Sequence, residues 1–330
     1  MVALWSRLDQ MIRAELGPGH TVRSCAPMAD GHAGLTWGFE VAAPDGTSQS
    51  FVVKMSPAGV PRRGSTDIFR QATLLRALHR AGLPVPAIRW ASPDEDQLGA
   101  PFIVMERLAG RTMVIWQPDS SFQNGSLNLP SLWIQTATAL GALQGFRWQP
   151  ELADWEQPTS LDGELVRWKS LLRHTEDKRW LGLASDLLDA LTRSVPAKPR
   201  IGLIHGDIYP GNALFDNGRL VALIDWDLAA IAPLGIDVGW LLMMADVDAW
   251  ADGWKPVGAP AHAALLDAYH VAGGPVAEDL GWYQAFAHFR MASIAGLNLK
   301  LHRSGRRPDD IWERFAPSIP RLLERGPNLI

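Results

Sequence analysis

The chain has 330 residues, 31 of them basic and 35 acidic, for a formal net charge of −4. That length allows about two domains or one large two-lobed unit, and the mild acidity excludes general nucleic-acid binding, which rests on many phosphate-pairing cations. Apolar residues make up 47% and charged residues 20%, a globular rather than a disordered profile. The single cysteine, Cys25, rules out an internal disulfide, reads as a small core residue and fits a reducing, cytoplasmic setting. No apolar run approaches the roughly 18 residues of a membrane span. Fifteen tryptophans are more than composition alone explains.

At the start, Leu4, Leu8, Met11, Ile12 and Leu16 recur at helical spacing, and Arg7 and Asp9 interrupt the apolar run, so no signal peptide is expected here. Residues 39–55 read as two strands joined by a turn at Pro44-Asp45-Gly46, the second running through Phe51, Val52 and Val53 into Lys54. A helix follows, with Ser65, Thr66 or Asp67 as its cap and Ile68, Ala72 and Leu75, with Leu74 and Leu78, as its apolar stripe. Gly82 and the two prolines of Leu83-Pro84-Val85-Pro86 end it and force an extended exit. Another strand, residues 101–108, leads to Gly110; beyond it the pattern is helical over 130–146, 161–193, 258–272, 279–303 and 310–325. A small β-rich lobe, 1–108, and a larger helical one, 109–330, are therefore expected.

One more β-like segment lies between the helices. Asp216-Asn217-Gly218 is a hairpin turn between strands 213–215 and 220–224. It places His205, Asp207 and Asn212 just before one strand, and Asp225 and Asp227 just after the other. Pairing brings those ends together, which is costly for so many carboxylates unless a cation sits among them. A hard cation prefers oxygen, which Asn212 and Asp225 supply, and Asp207 is then left to face a substrate hydroxyl. The bland alternative is that His205 and Asp207 brace a loop and Asp225 closes a turn.

His205-Gly206-Asp207 with Asn212, followed by Ile224-Asp225-Trp226-Asp227, resembles the aminoglycoside-phosphotransferase and choline-kinase-like superfamily, relatives of the protein kinases. The resemblance covers about residues 26–300. It implies a protein-kinase-like α+β bilobal fold, with a small antiparallel-sheet lobe, a larger mainly helical lobe and ATP in the cleft between them. Asp207 would be the catalytic base, Asn212 and Asp225 the Mg²⁺ ligands, and His205, Asp227 and Asp237 structural supports. Gly31-His32-Ala33-Gly34 would be the turn that covers the nucleotide, its glycines letting backbone N–H groups approach the phosphates. Lys54 would hold the α- and β-phosphates, and Met105, Glu106, Arg107 and Leu108 would form the hinge that reads the adenine edge. Family members usually carry a glutamate on the helix after the lysine strand; here the position is Gln71, which can accept a hydrogen bond from Lys54 without the ionic contribution.

Trp155, Pro158 and Trp168 are similar to the branch related to the kinase-like portion of long acyl-CoA dehydrogenases. Asp246, Asp248 and Asp252 interleave with Trp250 and Trp254, read either as a lid that stacks an acceptor or as a solvated loop with its indoles packed on the core. Lys300, His302, Arg303, Arg306 and Arg307 could meet a phosphate-bearing acceptor, but a helix end closed by Gly305 is the simpler reading. The expected activity is ATP- and Mg²⁺-dependent transfer of the γ-phosphoryl group to a hydroxyl of a small molecule, with neither nucleic acid nor membrane as partner. The alternatives are a nucleotide-binding regulatory module weakened at Gln71 and a kinase of hydroxyacyl-CoA-type acceptors. Protein phosphorylation ranks lowest, for want of an Ala-Pro-Glu segment.

Overall fold

A computed structural model describes residues 2–28, 35–57, 59–123, 128–172, 174–175, 177–276 and 278–330. The chain divides into two compact units. The first holds the residues up to Gly110 together with Gln149–Trp155 and Val221–Leu228; the second holds the remainder.

In the first unit, helix α1 (Val2–Leu16) precedes strands β1 (Thr21–Pro27), β2 (Leu35–Ala42) and β3 (Ser48–Met55), helix α2 (Arg70–Arg80), and strands β4 (Ile88–Ser92) and β5 (Phe102–Glu106). The strands form one antiparallel sheet in the order β1-β2-β3-β5-β4. Period-2 alternation sends Phe51, Val53 and Met55 of β3 into a core shared with Leu8, Met11 and Ile12 of α1 and with Cys25. Lys54 therefore belongs to the opposite face of the sheet. The sequence expectation for α2 needs one correction. Ser65 and Thr66 lie in a separate 3₁₀ turn, Asp67 follows that turn, and α2 starts at Arg70 with no side-chain cap. Asp67 is thus not the cap of α2. No described helix is long and apolar enough to cross a membrane.

The second unit is built from α3 (Ser120–Gln123), α4 (Leu129–Gly145), α5 (Leu161–Leu172), α6 (Lys178–Arg193) and strand β6 (Ile201–Ile204). Strands β7 (Ala213–Asp216) and β8 (Arg219–Leu223) follow, β8 crossing into the first unit, and then β9 (Ala230–Pro233). The chain closes with α7 (Gly235–Ala245), α8 (His262–Val271), α9 (Leu280–Arg303), α10 (Ile311–Phe315) and α11 (Ser318–Arg325). The helical stretch expected over 161–193 is two helices, because the Asp177 carboxylate accepts from the Arg179 and Trp180 N–H groups and starts a new one. The stretch over 310–325 likewise breaks at Pro317, which begins α11. Strands β7 and β8 form the expected hairpin, with Asn217 and Gly218 both at positive φ.

Helices α7 and α9 are the spine of this unit. A Cβ at Gly239 would lie 2.4 Å from the Tyr283 carbonyl oxygen, so the two backbones meet there. His288, wholly buried on α9, donates from Nδ1 to the Gln284 carbonyl at 2.7 Å, while its Nε2 has no partner among the described residues. Burial lowers its pKa from 6.5 to about 4. The unfolded chain therefore takes up the proton first as the pH falls. His288 contributes stability that is present above pH 6.5 and lost toward pH 4, by up to about 3 kcal/mol. Asp237, whose pKa burial raises to about 6, acts in the opposite direction over the same range, so urea unfolding should isolate the histidine as a difference: between pH 6.5 and 4 the wild type should lose more stability than His288→Leu.

Candidate active site

In the first unit, a buried cluster forms around Lys54. Its Nζ donates to Asp227 Oδ1 at 2.5 Å and lies 3.5 Å from Asp225 Oδ1. Burial alone would pull the ammonium toward neutrality, but Asp227 and Asp225 outweigh it and hold the pKa above its ordinary value. The two carboxylates sit in different surroundings. The Asp227 side chain is 7% exposed and the Asp225 side chain 36%. Asp225 also holds a positive φ of 62°, a left-handed conformation unusual outside glycine.

Gln71 does not do what was expected of it. Its Nε2 donates to Asp227 Oδ1 at 2.7 Å, so it meets Lys54 only through that carboxylate. The preceding residue holds the other end of Asp227: Arg70 donates from Nη2 to the Asp227 carbonyl at 2.8 Å and from Nε to the Gly64 carbonyl. Trp155 lies against the Arg70 guanidinium, 5.2 Å from its ring centre, and donates its indole N–H to the Arg70 carbonyl. In the proposed hinge, Met105 and Glu106 end β5. The Glu106 N–H is engaged by the Ala87 carbonyl and the Arg107 N–H by the Ser50 carbonyl. Leu108 follows on the connection out of the sheet. Gly31, His32, Ala33 and Gly34 lie outside the described residues.

In the second unit, segment 205–212 leaves β6 and is held through its backbone groups by side chains. Asp237, in the first turn of α7, accepts from the His205 N–H at 2.7 Å and from the Gly206 N–H at 2.8 Å. Burial pushes Asp237 up to about 6, against the pull of those donors and of Arg290. Gly206 has φ +86°, which a side chain would resist, and this turns the chain so that Asp207 follows the bracket. Asn212 is buried and donates from Nδ2 to the Asp207 carbonyl at 2.8 Å. That contact orients its amide and leaves Oδ1 as the end suited to a cation.

Arg290 was not foreseen. It is 2% exposed, donates to the Gly206 carbonyl, and lies between the rings of Trp168 and Trp240, 4.6 and 4.4 Å from their centres. Burial lowers its pKa, and the charges of Asp207 and Glu164 oppose that. Glu164 in turn accepts from the Trp168 indole at 2.8 Å. The only sequence signal for this pedestal is a lone arginine in an otherwise apolar stretch of α9.

The Asp246–Trp254 loop is settled against the lid. Trp250 and Trp254 are buried, pack on Phe315 and Trp116, and donate to the Met243 and Arg314 carbonyls. Asp246 is buried against Arg325 at 2.6 Å, and Asp252 pairs with Lys255. The basic run 300–307 ends α9; Arg303 grips Glu313 through two nitrogens, and Gly305 has a positive φ.

Comparison with known proteins places the chain among phosphate-transferring folds. Residues 38–286 match the profile described as Phosphotransferase enzyme family. An aminoglycoside 3′-phosphotransferase of Streptomyces fradiae is 25% identical over 72% of this chain and 84% of its own length. Acyl-CoA dehydrogenase family member 10 of Mus musculus and member 11 of Gallus gallus are each 24% identical, over 74% and 85% of this chain. The chain spans only 24% and 38% of those two proteins. Among solved structures, a candidate aminoglycoside phosphotransferase from Ralstonia eutropha superposes with a TM-score of 0.77 at 19% identity, over 98% of this chain and 97% of that one. A choline/ethanolamine kinase family protein from Mesorhizobium loti gives 0.60 at 16%, over 100% and 95%.

The buried bracket makes a direct prediction. Asp237→Asn can accept only one of the two N–H groups and turns a donor toward the other, while removing a counter-charge of Arg290. It should cost about 2–4 kcal/mol in urea unfolding at pH 7.5. A loss below about 0.5 kcal/mol would contradict the bracket.

Proposed function

The chain belongs to the phosphotransferase enzyme family, and from that premise we propose that it transfers the γ-phosphoryl group of ATP, with Mg²⁺, to a hydroxyl of a small molecule. The observation that carries this reading is Lys54: an ammonium buried on the sheet face, kept charged by two carboxylates of which one, Asp225, remains partly exposed. Such a cation neutralises the α- and β-phosphates. The hinge residues Met105–Leu108 would meet the rest of the nucleotide. The oxygen donors fit a hard cation: the Asp225 carboxylate and Oδ1 of Asn212 would hold Mg²⁺. When bound, the ion offsets negative charge on the phosphate oxygens.

Asp207 orients the acceptor hydroxyl and takes its proton, from a loop whose backbone is fixed by Asp237, Asn212 and Arg290. In a loose transition state, positioning and charge neutralisation outweigh proton transfer. The Asp246–Trp254 loop, with its indoles packed in the core and Asp246 buried against Arg325, offers no acidic pocket for a polycation, which favours a neutral or anionic acceptor. Similarity to two acyl-CoA dehydrogenase family members supports hydroxyacyl-CoA-type acceptors as the second reading. Lys54 keeps a buried carboxylate despite Gln71, which favours catalysis over the alternative of a weakened nucleotide-binding regulatory module. A reducing cytoplasmic setting suits the one free thiol.

Calorimetric titration with Mg-ATP should show Asp225→Ala losing metal-dependent binding. Asp207→Asn should bind nucleotide as the wild type does and lose about 10²–10⁴ in turnover, followed as phosphorylated product across hydroxylated acceptors. Wild-type turnover by Asp207→Asn would overturn the assignment of the base.

A further inference from the structure

The geometry points to a transposed ion pair: Asp227, held by the Gln71 amide and the Arg70 guanidinium, is the positioning carboxylate for Lys54, in the place a carboxylate on α2 would otherwise fill. One oxygen, Asp227 Oδ1, accepts from both Lys54 Nζ and Gln71 Nε2. A glutamate at 71 would set a second anionic oxygen 2.7 Å from the first, an arrangement in which both cannot stay ionised. The neutral amide at 71 is therefore what a carboxylate at 227 requires. It supplies a donor where an acid would supply repulsion.

The surroundings of Asp227 fit this one task. It is 5% exposed, so its charge needs a partner within the protein. Successive residues of α2 hold it at both ends, Arg70 at the main-chain carbonyl and Gln71 at the carboxylate. Trp155 braces Arg70 from outside. With Lys54 committed to Asp227, Asp225 stands farther off, at 3.5 Å, and more exposed. The two aspartates of Ile224-Asp225-Trp226-Asp227 thus divide the work: Asp227 grips the lysine, and Asp225, its longer and more exposed partner, is the one placed to meet a hard cation.

The consequence for nucleotide affinity rests on the phosphotransferase reading; the ion pair itself does not. The test is charge transposition. Asp227→Asn leaves a buried ammonium short of its partner, and Gln71→Glu crowds two carboxylates. Each should lower the unfolding temperature of the unliganded protein by roughly 4–10 °C, and Mg-ATP affinity at least tenfold. In the double variant the carboxylate sits at 71 and the amide at 227. The two donors meet on one oxygen and so lie at most about 5 Å apart, close enough for Lys54 to swing across. The double variant should regain more than half of both losses. If Asp227→Asn alone does not fold, a folded double variant is itself the rescue. Additive losses, or an unchanged Asp227→Asn, would overturn the pair. Loss of Mg²⁺ dependence in Asp227→Asn that Gln71→Glu fails to restore would do the same and make Asp227 a metal ligand. Recovery of the unfolding temperature with no nucleotide binding by any variant, wild type included, would uphold the pair and remove the nucleotide reading instead.

Discussion

A lysine ammonium taken out of water loses its charge unless a carboxylate stays within reach, and the first unit of this chain is organised around that constraint. Lys54 comes from a central strand, Asp227 from a turn more than 170 residues later, and Gln71 from α2. That turn, with the residues from Val221 to Leu228, belongs to the first unit although its neighbours on both sides belong to the second. Pairing with Lys54 and anchoring by Arg70 and Gln71 give a physical reason for this short segment to join the sheet and α2.

The same device recurs in the second unit. Arg70 holds the carbonyl of Asp227 and is stacked by Trp155; Arg290 holds the carbonyl of Gly206 and is stacked by Trp168 and Trp240. In each case a guanidinium satisfies a backbone acceptor at the turn that carries an aspartate of the proposed site, and an indole shields the cation while keeping its rotamer fixed. Arginine suits this because its planar fork stacks on aromatic faces and is less strongly hydrated than an ammonium. Together with the packed Trp116, Trp250 and Trp254, these sites account for part of the tryptophan content.

Features set by local chemistry were legible in the sequence: the Asn217-Gly218 hairpin, the helix exit at Gly82, and the long helix that became α9. The segments His205–Asn212 and Ile224–Asp227 were legible as a resemblance, because their spacing is specific. What could not be read was non-local. Helix α7 is buried all round, so no 3.6-residue alternation marks it. Asp227 looked like a support and Gln71 like a deficit, since each makes sense only once the other is seen on the same oxygen. Arg290 belongs to no motif. Of the two readings of the Asp246–Trp254 loop, the one with its indoles packed on the core holds; the burial of Asp246 could not be read, because Arg325 beside it lies 79 residues along the chain.

Lys54 is held charged beside Asp225, a carboxylate that stays partly exposed, and the proposed nucleotide site rests on that pair. Thermal unfolding of the wild-type protein with Mg-ATP, Mg-GTP and metal-free ATP tests this most directly. At about 100 times Kd, a nucleotide that binds only the folded state adds roughly 2.7 kcal/mol of stability. An upward shift with at least one magnesium nucleotide, larger than with metal-free ATP, is the predicted result. No shift with any of the three would contradict it.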